Sequence, residues 1–204
     1  MRVVKKYSHL NGEEWLIVHE NDTYEEILTS LRVVNANEFC RDSTGAASRI
    51  QETKLDPVTL ASAFCDELSA RGWSPLSHSH CVAGNSDQIK LKQCETPHEP
   101  ECCLTIQSAD TVLVTHQIDH FKNRIGVKMR FDRSESVVYD LYGRYLPFCA
   151  EGMIEVGIEI LPTKAMQQEM SSGIAYYEGE LHNILRHGRS NPPVPLVIIG
   201  VEPD

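Results

Sequence analysis

The segment Asp119-His-Phe-Lys-Asn-Arg-Ile-Gly-Val-Lys-Met-Arg-Phe131 constrains this chain more than any other stretch. Within it Ile125, Val127, Met129 and Phe131 alternate with Gly126, Lys128 and Arg130. A period of two marks a strand with one face in a core. Residues two apart share a face, so Lys128 and Arg130 point the same way, opposite to the apolar set. Asp119 precedes them by nine and eleven residues. A short turn through residues 120–124 is expected to fold Asp119 back beside Lys128.

The rest of the chain reads as an α/β domain around that strand. Residues 1–4 and 15–19 read as short strands joined through Asn11-Gly12, a turn pair. Asn21-Asp-Thr23 offers an N-cap for a helix to about Arg32, with Ile27 and Leu31 at i, i+4. Asp56-Pro57 opens the clearest helix, with Leu60, Phe64 and Leu68 on one face and Gly72 at its end. Residues 74–110 read as irregular, 111–118 as a strand delivering Asp119, and 134–149 as helical. Residues 153–161 read as a strand with Glu155 and Glu159 opposite its apolar face. A helix over 166–187, broken near Ser171-Ser172-Gly173, and a buried strand over 195–201 complete the order. Helices and strands in this succession predict a mixed central sheet flanked by helices.

At 204 residues the chain fits one domain, 1–204, with a variable Cys/His-containing segment at about 74–110. No apolar run reaches membrane-spanning length and the first residues carry no signal-peptide pattern, so a cytoplasmic protein is expected. The formal net charge of −10 argues against a generic nucleic-acid binder, though not against one whose positive charge is local. Between Lys122 and Arg133 there are five cations against the single acid Asp132. Seven cysteines suit reduced thiols in such a compartment. Cys94, His98 and Cys102 have a spacing that can grip zinc, but the tight C-x2-C pairs of zinc fingers are missing and zinc is not expected.

An acid, a gap and a strand carrying two polar positions on one face is also the layout of metal-dependent nucleases. The chain resembles the type II restriction endonucleases of the BglII/BstYI family, nearest its BstYI branch. The resemblance is carried by Tyr7-Ser-His-Leu-Asn-Gly12, Ala70-Arg-Gly-Trp73, Tyr139-Asp-Leu141 and Val156-Gly-Ile-Glu-Ile-Leu-Pro162. It continues through Glu169-Met-Ser-Ser-Gly-Ile-Ala-Tyr-Tyr-Glu-Gly-Glu-Leu181 and Arg186-His-Gly-Arg189. It implies a restriction-endonuclease-like, PD-(D/E)xK core, and a homodimer reading a GATC-centred palindrome in double-stranded DNA, one subunit per half-site. Mg2+ is the implied cofactor of an active enzyme.

The family pattern is Asp, eight residues, Glu, one residue, Gln. Here Asp119 stands, Lys128 replaces the Glu and Arg130 the Gln. Asp119 is therefore either the retained metal ligand or a turn aspartate paired with Arg124 or Lys128. Lys128 and Arg130 either contact the scissile phosphate or form a salt-bridged strand face. Two cations at a divalent site repel the metal that must activate water, so DNA binding is expected with cleavage weak or absent. An active enzyme would need a displaced acid, with Asp132, Asp140, Glu155, Glu159, Glu178 and Glu180 as candidates. A zinc-stabilised interaction protein on the same scaffold is a third reading. The resemblance places Ser171 and Ser172 at base readout, and Arg133, Arg186 and Arg189 at DNA.

Overall fold

The alternating segment is a central strand. In the computed structural model, residues 1–43, 52–83, 111–131, 137–170, 173–188, 191 and 193–204 are described. The chain runs β1 (Arg2–His9), α1 (Gly12–His19), α2 (Asn21–Val33), β2 (Cys40–Ser43), β3 (Glu52–Leu55) and α3 (Pro57–Ala70). It continues as β4 (Ser74–Ala83), β5 (Thr111–Lys122), β6 (Ile125–Met129), α4 (Val137–Asp140), a π-helical turn (Leu141–Tyr145) and α5 (Leu146–Ala150). β7 (Val156–Pro162), α6 (Lys164–Gln168), α7 (Tyr177–Arg186) and β8 (Leu196–Glu202) complete it.

Six strands form one sheet in the order β1-β8-β7-β6-β5-β4, and β2 pairs separately with β3. β8, β7 and β6 run parallel to their neighbours in that group, whereas β1, β5 and β4 add antiparallel pairs. The mixed sheet flanked by helices is the expected architecture. The parallel centre is buried on both faces, as such strands require. One face carries Ile125, Val127, Met129, Ile158 and Ile160 against Leu16, Ile27, Leu31, Leu60, Phe64 and Leu68 of α1–α3. The other carries Ile118, Leu161, Leu196 and Ile198 against Leu141, Tyr145, Phe148, Tyr177 and Ile184.

Two expectations about local structure are corrected. Residues 15–19 are not a strand but the second half of α1. Only Leu16 of Trp15-Leu-Ile-Val18 is fully buried, so no two-residue periodicity holds the segment in a sheet, and Glu13 and Glu14 sit in a helical first turn. Gly12 lies so close to the Leu196 backbone that a Cβ there would come within 2.9 Å of it. Residues 74–83 are not irregular but an edge strand paired with β5. Their serines and histidines hid it, because an edge strand tolerates polar side chains that a central one does not. The Asp56 cap on α3 is as expected, with its side chain accepting from the Val58 N–H at 3.3 Å. No helix among the described residues is long and apolar enough to cross a membrane.

Candidate functional site

The hairpin between β5 and β6 brings the first site residues together. Asn123 and Arg124 both take left-handed φ values, 48° and 64°, the backbone of a two-residue turn whose twist suits paired strands. The turn is thus shorter than the 120–124 span expected, because β5 continues through Lys122. Asn123 Nδ2 donates to Thr23 Oγ1 at 2.9 Å, and Arg124 pairs with Glu155 at 2.5 Å, which pins the turn from both sides. With His120 opposite Val127, Asp119 falls beside Lys128: their Oδ2 and Nζ are 3.9 Å apart.

Register across the parallel pair sets the next contact. Lys128 faces Glu159 on β7, and the Arg130 N–H extends the ladder to the Ile160 carbonyl at 2.8 Å. Arg130 is fully buried, and its Nε donates to Glu159 Oε2 at 3.2 Å. Its Nη2 donates to Asp140 Oδ2. Lys128 Nζ lies 3.5 Å from the same oxygen. Asp140 Oδ1 is 2.9 Å from Arg144 Nε, an i, i+4 pair. One buried carboxylate therefore sits among three cations.

Asp140 ends α4, and the π-helical turn that follows carries Arg144. Such turns widen a helix by one residue and re-register the side chains that follow. Tyr145, at its end, lays its ring over Gly126 and Gly157, where a Cβ would come within 3.1 and 2.9 Å of the ring. Its hydroxyl donates to the Ile158 carbonyl at 3.1 Å. The two glycines let the helix approach the sheet closely enough for Asp140 to reach Arg130. Sequence reading had Asp140 and Glu159 only as candidates by number and did not single out Arg144. The signals available were the position of Glu159 opposite an apolar face and the Asp140–Arg144 spacing.

Burial governs the ionisation of this cluster. It pushes the Glu159 carboxyl up to about 7, against the opposing pull of Arg130 and Lys128. It pushes the Lys128 ammonium below its usual range, with Asp119 resisting and Arg130 and Arg144 adding to the depression. Beneath Asp119, His120 Nε2 is 3.1 Å from Cys65 Sγ. Burial lowers the imidazole and raises the thiol, so the pair is neutral.

A polar cleft of about 340 Å3 opens beside the cluster, lined in part by Thr115, Gln117, Asp119, Tyr139 and Arg144. The remaining displaced-acid candidates lie in other contacts: Glu155 on Arg124, Glu178 on Lys5, and Glu180 accepting from the Val137 N–H at 2.8 Å. Asp132 lies outside the described residues, as do Arg133, Ser171, Ser172, Arg189, Cys94, His98 and Cys102. Arg186 is exposed at the end of α7.

The described residues of this cluster do not fit a divalent cation. Among the described residues no three His, Cys, Asp or Glu side chains converge on a metal position. Asp119, Asp140 and Glu159 are each engaged by Lys128 or Arg130. An ion such as Mg2+ demands near-octahedral oxygen ligands and pairs poorly with ammonium and guanidinium neighbours.

The family described as "Restriction endonuclease BglII/BglIII" matches residues 4–201. A crystal structure of restriction endonuclease BglII complexed with a DNA 16-mer is similar, with a TM-score of 0.65 and 16% identity over 100% of this chain and 79% of that one. A crystal structure of free BglII is similar with a TM-score of 0.61 and 14% identity, covering 100% and 81%. A search of curated proteins gave no match.

Proposed function

The chain belongs to the BglII/BglIII restriction endonuclease family, and from that premise we propose that it is a duplex-DNA-binding protein whose cleavage is weak or absent. The observation that carries the reading is the cation pair at the end of β6: Lys128 and Arg130 lie among Asp119, Asp140 and Glu159 and pair with them. In a metal-dependent nuclease the ion supplies that charge and a bound hydroxide. Fixed cations supply the charge alone. They relieve the repulsion between buried carboxylates and an approaching phosphate, and they provide no nucleophile.

Burial divides the roles of the two cations. Arg130 is fully enclosed and acts through Asp140 and Glu159, so it is a positioning residue. Lys128 retains a small exposed edge and is the more accessible of the two to DNA. Asp119 is read as the retained acid of the family pattern, held by Lys128. The quoted motifs are nearest the BstYI branch, which supports a GATC-centred palindrome as the target and a two-fold homodimer in the cytoplasm as the working form. Ser171 and Ser172 are assigned to base readout, and Arg133, Arg186 and Arg189 to the DNA backbone. BglII itself has been crystallised in complex with a DNA 16-mer, which supports the partner class.

The test pairs two measurements on the natural protein. Gel-shift titration with a GATC-centred duplex in metal-free buffer should show binding that weakens steeply as salt rises. Incubation of plasmid with Mg2+ should leave it uncut. Efficient Mg2+-dependent cutting that is lost in Asp119→Ala would instead favour an active enzyme, with Asp140 or Glu159 as the displaced acid. Light scattering of the DNA complex should give a dimer mass.

A further inference from the structure

We propose that Gln117 reads a base edge of duplex DNA, presented to the cleft by a two-stranded ribbon of β4 and β5; the proposal rests on the DNA-binding reading above. The ribbon follows from the register. β5 pairs with β6 over His120–Lys122 and with β4 between Thr111 and Phe121. The β4–β5 pair therefore runs on past the β6 ladder, with Gln117 two residues before Asp119. Gln117 and Thr115 are exposed and line the polar cleft together with Asp119. A duplex seated against Asp119 meets them in the same cleft.

The chemistry of the ribbon's face favours a groove contact over a backbone one. Ser77 lies opposite Gln117, and Ser79 opposite Thr115. Residues two apart on a strand share a face, so four neutral hydroxyl and amide side chains stand together with no charge among them. Ser79 Oγ and Thr115 Oγ1 are hydrogen-bonded at 2.8 Å, which ties the two strands beside Gln117. The opposite face holds the ribbon to the domain. There Leu76 and Ile118 join the core under α4 and α5, and the His78 ring meets Phe148 edge-on with centroids 6.5 Å apart. Packing on that face means that presenting Gln117 costs little ordering on binding. The major groove of B-DNA admits a two-stranded ribbon, and a glutamine amide matches the donor and acceptor on the major-groove edge of adenine. With a formal net charge of −10 on the chain, a neutral face also meets DNA without adding to the repulsion.

The experiment selects from a pool of duplexes with a randomised central segment, using the full chain in metal-free buffer at low salt, and sequences what is retained. It compares the natural protein with Gln117→Ala and Gln117→Glu. The natural protein should prefer adenine at one base-pair position of each half-site. Gln117→Ala should lose that preference alone, with affinity for the selected duplex down about tenfold. Gln117→Glu, whose carboxylate accepts from the cytosine N4 amine, should move the preference at the same position toward cytosine. Gln117 is exposed, so thermal melts of both variants should match the natural protein and separate a lost preference from a lost fold. Base preferences that stay unchanged in both variants overturn the proposal. A loss of affinity equal on all duplexes does so too, in favour of a backbone contact. Retention by the natural protein with no preferred base also overturns it, while leaving DNA binding intact. Failure of the natural protein to retain any duplex sinks the DNA-binding reading itself.

Discussion

Strands β6 and β7 have two buried faces of opposite character. On one, Ile125, Val127, Met129, Ile158 and Ile160 pack against helices α1–α3. On the other, Lys128, Arg130 and Glu159 meet Asp140 and Arg144 under the helical segment 137–150. The apolar face gains stability from area removed from water, contact by contact. The charged face must first overcome desolvation, and its ion pairs repay that cost only while each partner is in place. So the first face should yield gradually to mutation and the second abruptly. Three cations, Lys128, Arg130 and Arg144, stand against Asp119, Asp140 and Glu159, so this face holds together only as a balanced set.

The largest expected effect comes from Asp140→Ala. It removes the carboxylate that Arg130 and Lys128 share, leaving Glu159 paired with the fully buried Arg130 and Asp119 at 3.9 Å from Lys128. Removing one partner of a buried ion pair costs about 3–5 kcal/mol. Ile158→Ala on the opposite face removes a fully buried side chain and costs about 2–5 kcal/mol through transfer and cavity terms. Urea denaturation of both variants separates the mechanisms: Ile158→Ala should be improved by a smaller graded change such as Ile158→Val, whereas Asp140→Asn should remain nearly as damaging as the alanine. If Asp140→Asn proves as stable as the natural protein, the charged face is not balanced in the way argued.

A sharper break exchanges both cations at once. On the proposed reading, Lys128→Glu with Arg130→Gln restores beside Asp119 the residues that the family resemblance implies. It also leaves Asp140 and Glu159 with Arg144 as the sole cation of the cluster. In the absence of metal the double variant should therefore be less stable than the natural protein, and added Mg2+ or Mn2+ should restore it, by about 2.7 kcal/mol at a hundred times the dissociation constant. The natural protein's melting temperature should not respond. The rebuilt site should also gain Mg2+-dependent cleavage and lose metal-free DNA affinity, with either single change doing less because ligands act as a unit. A double variant that folds yet melts identically with and without metal would show that position 128 alone does not close the site.

How far this was legible in the sequence follows from the range of each interaction. The shared face of Lys128 and Arg130, and that of Glu159 opposite its apolar neighbours, came from alternation along a strand, which is local. The Asp56 cap of α3 was local too. The partner of Arg130 was not, since Asp140 reaches it through a helix packed across the sheet, and that approach depends on Gly126 and Gly157 under the Tyr145 ring. Nothing in the periodicity of residues 134–149 announces a π-helical turn, so the joint placement of Asp140 and Arg144 had no sequence signature beyond their spacing. The edge strand β4 was missed because its polar composition reports its position in the sheet and not its backbone. Trp15-Leu-Ile-Val18 was misread because its apolarity suits a strand while its single buried residue does not.

The smallest effect tests the balance by titration alone. Burial holds the Glu159 carboxyl at about 7 in the folded protein, above the 4.5 of an ordinary glutamate. Between those values the native state holds a proton that the unfolded chain has released. The slope of stability with pH follows the difference in bound protons, so this carboxyl's contribution is fully present below about 4.5 and is lost as pH rises through about 7. Glu159→Gln is uncharged throughout and does not take part. Relative to that variant, the natural protein should therefore lose stability across this window, at no more than about 1.4 kcal/mol per pH unit. Below it the two should be close, because a protonated carboxyl and an amide are nearly isosteric beside Arg130. Thermal melts at half-unit steps, taken as differences so that the other titrating groups cancel, isolate the effect. Parallel curves for the two proteins would mean that Arg130 and Lys128 hold Glu159 ionised at every pH in the window, and that the charged face is bound by stronger pairing than its burial allows.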